Sequence, residues 1–273
     1  MNTFFNFFNK HKGDNMQLQF LGTGGGRFAT ISQKRMTGGF RIDGIDGKNI
    51  HVDPGPGALV RSHQYGLNPR KINLLLVSHS HTDHYNDAEV LIEAMTQGMT
   101  KKTGHVIGSK SVIEGHEDLG PSISEYHQQK PKVTTLLAGE EIQDGNITIR
   151  GTQTHHGDPT CVGFNIKYND FSLSYTADTE YFPELAEEHK GADVLIGNVI
   201  KEGERKIKGH LRTLDFKQLI EEVKPKVAIM THLGVNLIMN NPFQNTRNIT
   251  QETGIRTIAA TDGLTMNLDQ HLG

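Results

Sequence analysis

Residues 74–87 read LLLVSHSHTDHYND. The apolar run from Leu74 to Val77 suits a buried strand, and it leads into four metal-type side chains in six positions: His79, His81, Asp83 and His84. His79 and His81 are two apart, so in extended chain both point the same way. Asp83 and His84 stand where a helical pattern begins and turn to a different side. The stretch therefore offers two ligand pairs aimed at two adjacent points. Two metal ions roughly 3.5–4 Å apart can each use one pair and share a hydroxide. Imidazole with carboxylate suits zinc, and also iron or manganese. A polar loop with chance histidines would not be expected to gather so many ligand types behind a strand.

Two metals need more ligands, and later apolar runs end on candidates. RGTQTHHGDPT offers His155 and His156, FSLSYTADTEYF offers Asp178, and KVAIMTHLG offers His232. Taken singly, each is as readily a cap or a surface residue; their order and type together make the case. Loops at one sheet edge are where ligands from distant parts of a chain can meet.

Around these points, strand-length apolar runs recur, among them QLQFL, GGFRID, NIHVD, ITIRGTQT, VGFNIKY, FSLSYT, ADVLIGN and IRTIAA. GIDGK and YNDF read as hairpin turns. DHYNDAEVLIEAMTQG carries Val90, Leu91, Ala94 and Met95 at one-face helical spacing and stops at Gly98. TLDFKQLIEEVKP does the same with Leu214, Leu219, Ile220 and Val223, with Thr213 as N-cap and Pro225 past the end. Shorter helices are expected near 57–66, 109–117, 182–189 and 242–253. The early part reads as antiparallel hairpins and the later part as alternating strand and helix, with no repeat at a fixed period. Sheets with helices packed outside, in one α/β domain, are expected.

The chain has 273 residues and a formal net charge of −3, which gives no global electrostatic case for nucleic acid or a membrane surface. Cys161 is the only cysteine, which fits a reducing, cytoplasmic setting. No apolar stretch approaches the roughly 20 residues of a membrane helix. Residues 1–15, MNTFFNFFNKHKGDN, read as a dispensable extension ahead of a domain at 16–273, or else as an aromatic segment that packs on a partner.

With these residues in view, the sequence resembles the metallo-β-lactamase superfamily. SHSHTDH matches its signature, and His156, Asp178 and His232 follow in the family's order. Within the superfamily it is most similar to the branch of tRNA 3′-processing endonucleases and small phosphodiesterases, on FLGTGGG, VDPGPG at 52–57, GHLRT at 209–213 and THLG at 231–234. The resemblance implies a four-layer αββα sandwich with metals at one edge. It implies that His79, His81 and His156 hold one divalent metal, that Asp83, His84 and His232 hold the other, and that Asp178 bridges both. His156 is preferred to His155 because the family ligand precedes a short polar turn and a GF strand, here HGDPTCVGF. Iron-type electron-transfer members carry Glu where this chain has His81, so the histidine favours a hydrolytic zinc site.

The chemistry expected is attack by a hydroxide whose pKa the metals lower, with Asp83 orienting it as well as binding metal. His210 in KGHLRT is the candidate general acid, since a histidine titrates near neutral pH and phosphodiesterases of this branch place a non-ligand histidine there. Lys201, Arg205, Lys206, Lys208 and Arg212 surround it, which suits a small anionic substrate. Asp53 is expected to support a metal-binding histidine, and Asp262 invites a similar reading. Thr23 in the glycine turn LGTGGG, Arg212 and His155 are read as neighbours of the metals or substrate. That turn is not a dinucleotide fingerprint, lacking G-x-G-x-x-G spacing and a following helix. The tRNA-processing members carry an RNA-gripping arm between the third-motif histidine and the bridging aspartate; the short span from His156 to Asp178 leaves no room for one. A small phosphodiester, cyclic or nucleotide-derived, is thus favoured over nucleic acid. The alternatives are a nuclease without an arm, a lactone or thioester hydrolase, and a non-catalytic metal-holding protein. Similar proteins commonly form homodimers. The stretch 98–132 is another place for substrate contacts.

Overall fold

A strand buried on both faces sends alternate side chains to opposite layers, and Leu74–Val77 does so. Leu74 and Leu76 enter one apolar layer with Leu18, Ile50, Phe164 and Ile196. Leu75 and Val77 enter a second, with Ala88, Leu91 and Ile92. From the other half of the chain, Val194 and Ile196 join the first layer, while Leu195 and Val199 pack on Phe216, Leu219 and Ile220 in a third. Three apolar layers separate helices, sheet, sheet and helices, the four-layer αββα sandwich expected. This computed structural model describes residues 15–271. The reading of the N-terminal extension falls, apart from Asn15, outside the described residues.

The first sheet runs Thr265–Asn267, Gln17–Phe20, Phe40–Ile45, Lys48–Val52, Leu74–Val77, His105–Gly108, Lys132–Thr135. The second runs Arg256–Ala259, Val227–Thr231, Val194–Lys201, Phe171–Tyr175, Gly163–Tyr168, Ile147–Thr152, Glu141–Asp144, with Leu211–Arg212 paired to Val194–Lys201. Each sheet starts as antiparallel hairpins and turns parallel, from Lys48–Val52 in one and from Phe171–Tyr175 in the other. Among the described residues, the span from His156 to Asp178 holds only the hairpin Gly163–Tyr168 and Phe171–Tyr175, with no arm. His79, Asp178 and His232 follow the C-terminal ends of strands with parallel partners, the edge where open α/β sheets place their sites, whereas His156 follows Ile147–Thr152, which is antiparallel to both neighbours.

Two helical readings need correction. The stretch after His81 is two helices, Thr82–Tyr85 and Ala88–Met95, and its buried face is Ala88, Leu91, Ile92 and Met95, with Val90 41% exposed. In Thr213–Val223 the inward residues are Phe216, Leu219, Ile220 and Val223; Leu214 is 48% exposed. In both, an apolar residue near the helix start lies about a quarter-turn off the buried stripe. The N-cap of the second helix is Arg212, not Thr213, because Asp215 takes the Arg212 N–H. A six-residue helix, Arg27–Ser32, does follow the glycine turn, contrary to the sequence reading.

Candidate metal centre

The loop after Val77 is held from both sides. Ser78 donates its N–H and hydroxyl to the two oxygens of Asp53, each at 2.7 Å. Asp53 also accepts from His84 Nδ1 at 2.8 Å and from the Tyr175 hydroxyl at 2.7 Å. Across the loop, Asp158 takes the Ser80 N–H at 3.1 Å and the Ser111 hydroxyl at 2.5 Å. Ser111 belongs to the 98–132 stretch, which here braces the loop from behind.

These outer bonds fix which ring nitrogens are bare. Ser78 spends its proton on Asp53, so its oxygen accepts from His79 Nδ1–H at 2.9 Å. His84 gives Nδ1–H to Asp53, and His156 gives Nδ1–H to the Gly209 carbonyl at 2.8 Å. In the neutral form each of these three rings then presents an unprotonated Nε2. Those lone pairs converge. His81 Nδ1 lies 3.1 Å from His79 Nε2 and 3.0 Å from His156 Nε2. His84 Nε2 lies 3.1 Å from His232 Nε2, which is 3.2 Å from Asp83 Oδ2. Asp178 Oδ2 stands between the two trios, 3.3 Å from His232, 3.5 Å from His84, 3.8 Å from His156 and 4.0 Å from His79. Neutral rings with lone pairs facing one another cannot satisfy these contacts. The spacings do match the edge of a tetrahedron, about 3.3 Å, around an ion with nitrogen ligands at roughly 2.0–2.1 Å. The donor set fits a divalent cation.

The electrostatics agree. Burial holds the His79 and His81 rings below the usual imidazole range. Burial opposes charge on His84, Asp83 and Asp178 too, but their mutual attraction outweighs it. Asp178, Asp83 and Asp53 raise His84, while His232, His84 and His210 lower Asp178.

The strand ends are bent to serve the cluster. Asp53, Ala177 and His232 all have left-handed backbone, with φ of 50°, 51° and 56°. Gly25 is needed beside them, since a Cβ there would meet the His232 ring at 2.1 Å. Gly26 N–H donates to Asp83 Oδ2 at 2.8 Å, so an N–H of the glycine turn serves a protein carboxylate.

The other expected residues divide. His155 points outward and stacks on Phe182, centroids 4.0 Å apart, leaving His156 to the cluster. Thr23 bonds Asp262 through its hydroxyl at 2.8 Å, and its carbonyl holds the Leu233 N–H beside His232. Asp262 serves that turn and the Met36 N–H, and none of its hydrogen bonds goes to a cluster histidine. The Arg212 side chain is engaged by Asp215 at 2.7 and 2.8 Å, capping a helix. Three contributors were missed. Asp158 hid in a polar turn with no periodicity to mark it. Tyr175 and Asn198 sit in strands, where a polar group in a fully buried run was the available signal. Asn198 Nδ2 donates to Asp178 Oδ1 at 2.8 Å, which aims Oδ2 at the cluster.

A cleft of about 1120 Å³ opens onto the cluster. His81, Asp83, His156, Asp178 and His210 form its floor, Arg27, Lys201 and Lys208 supply cations, and Phe28, Ile200 and Ile207 supply apolar wall. His210 Nδ1 is 3.5 Å from Asp178 Oδ2, and burial pushes its ring down to about 4.

Comparison with known proteins bears on the family and the fold. Residues 48–233 match the β-lactamase superfamily domain. An uncharacterized protein of Methanocaldococcus jannaschii is 44% identical over 256 residues, 93% of this chain and 95% of that one. Ribonuclease Z of Mycolicibacterium gilvum is 26% identical over 264 residues, 90% of each chain. The metallo-β-lactamase fold protein YhfI of Bacillus subtilis superposes with a TM-score of 0.76 at 22% identity, covering 92% of this chain and 98% of that one. Among the described residues no helix is long and apolar enough to cross a membrane. With its two-sheet sandwich, its converging histidines and these relatives, the chain belongs to the metallo-β-lactamase superfamily and is a metal-dependent hydrolase of that fold.

Proposed function

We propose that the protein is a phosphodiesterase acting on a small anionic phosphodiester, with two zinc ions held by His79, His81 and His156 and by Asp83, His84 and His232, and with Asp178 shared. The observation that carries this is the cleft: Arg27, Lys201 and Lys208 stand on its walls above the ligand cluster. Cations so placed neutralise a phosphate that carboxylate-rich surroundings would otherwise repel. Bound metals would supply Lewis-acid activation of water and of the phosphoryl oxygen. The protein does the rest. Asp83 is held by Gly26 N–H and can orient the attacking water. Phe28, Ile200 and Ile207 give an apolar wall for the substrate's organic part. His210 reaches the cleft beside Asp178 and protonates the leaving oxygen; its ring rests neutral, and an anionic substrate beside it favours the added proton.

The test is hydrolysis of bis(p-nitrophenyl) phosphate by zinc-loaded protein. His210→Ala is expected to keep its metal and lose roughly 100-fold or more in kcat. Normal turnover by this variant would remove His210 from the mechanism. Ribonuclease Z similarity over 90% of the chain favours a second reading, a nuclease working without an arm. RNA cleavage whose binding weakens steeply with salt would select it. Hydrolysis of lactones or thioesters with no phosphodiester turnover would overturn both.

A further inference from the structure

His79, His84 and His156 each bond a protein atom through the ring nitrogen that faces away from the cluster. His232 differs. Its Nδ1 is buried and makes no hydrogen bond among the described residues. Among the other buried polar atoms in that condition are Thr37 Oγ1 and Asn198 Oδ1. Thr37, Asn198 and His232 line one small void, which also borders Asp53 and Tyr175 and touches Asp83 and His84 of the same trio.

We propose that this void holds a single structural water that fixes the His232 ring, making Thr37 and Asn198 positioning residues for it. The size fits: the space open to a water's centre is about 20 Å³, and one water needs roughly 10–15 Å³ with two to four polar partners. The chemistry fits as well. With Nε2 turned to the cluster, His232 carries its proton on Nδ1 and donates it to the water. The Asn198 amide has its carbonyl toward the void because its Nδ2 donates to Asp178 Oδ1 at 2.8 Å and to the Tyr175 hydroxyl at 2.9 Å. A flipped amide would set carbonyl against carboxylate. The water therefore donates to Asn198 Oδ1, and the Thr37 hydroxyl supplies a third bond. One amide then orients two groups of the cluster, Asp178 directly and His232 through the water. A buried N–H left unpaired has lost its bond to bulk water with nothing in return, so the site is worth filling.

The water stands on its own; its effect on metal rests on His232 being a ligand as proposed above. A crystal structure of the zinc-loaded full chain, at a resolution that shows ordered water, should place one within hydrogen-bond distance of all three atoms. A dry void, or Nδ1 bonded directly to protein, overturns the proposal. Zinc affinity by chelator competition gives an independent reading. Thr37→Val should weaken one bound equivalent by roughly 10-fold, with Thr37→Ser restoring it. His232→Ala should lose that equivalent. Unchanged affinity in Thr37→Val, with metal lost in His232→Ala, overturns the positioning role and leaves the metal assignment standing. Full metal retention in His232→Ala instead breaks the ligand assignment itself.

Discussion

The two trios at the sheet edge are built differently. His79, His81 and His156 are all imidazole, steadied by a serine hydroxyl and a main-chain carbonyl. Asp83, His84 and His232 include a carboxylate, and His84 is further drawn upon by Asp53 and Asp178. The second trio is thus the more negative setting and the better electrostatic trap for a dication. Its carboxylates also raise the His84 ring above the usual imidazole range, against the burial that opposes charge there. The contrast teaches that two neighbouring clusters on one edge can differ in their electrostatics while both face one carboxylate oxygen, that of Asp178.

That contrast can be broken outright. Asp178→Ala removes the shared oxygen, and both bound equivalents and all turnover should fall to background. Two metals per chain by elemental analysis would show that the trios are independent. Next in size, His81→Ala and His232→Ala should each lose one equivalent and turnover. His81→Ala should keep the tighter one, read by titration against a chelator. Equal affinity of the remaining ion in the two variants would erase the proposed difference. A finer test uses the outer supports. Asp53→Asn weakens the bond that orients His84, and Asp158→Asn weakens the anchor of the His79–His81 loop. Each should cost roughly 10–100-fold in affinity, for different equivalents. Loss from the same equivalent in both would mean that the loop moves as one piece.

Much of this edge was legible in the sequence, because ligand density after a buried run is a local signal. His79, His81, Asp83 and His84 stand out without any knowledge of the fold. The choice of His156 over its neighbour was not fixed by spacing. It depends on the chain turning after Thr152, which sends His155 to Phe182. The supports were harder to see. Asp158 acts on a loop some eighty positions away, and Asn198 looks like an interruption in VLIGNVI. Arg212 was misread because a basic stretch suggests phosphate, whereas its guanidinium is held by Asp215 three residues on and by the Glu204 carbonyl. Local pattern marks what a residue is; only the fold marks which residue across the chain it meets.

The left-handed residues at Asp53, Ala177 and His232 have a consequence for handling the protein. Non-glycine residues in this conformation cost on the order of 1–3 kcal/mol each. They sit where lone pairs already converge, so a bound cation would relieve this edge directly. An ion that binds only the folded chain adds stability in proportion to the logarithm of its free concentration, about 2.7 kcal/mol at a hundredfold excess over Kd. The melting temperature of this protein is therefore expected to report the metal content of its buffer, and a chelator should act on it as a mild denaturant.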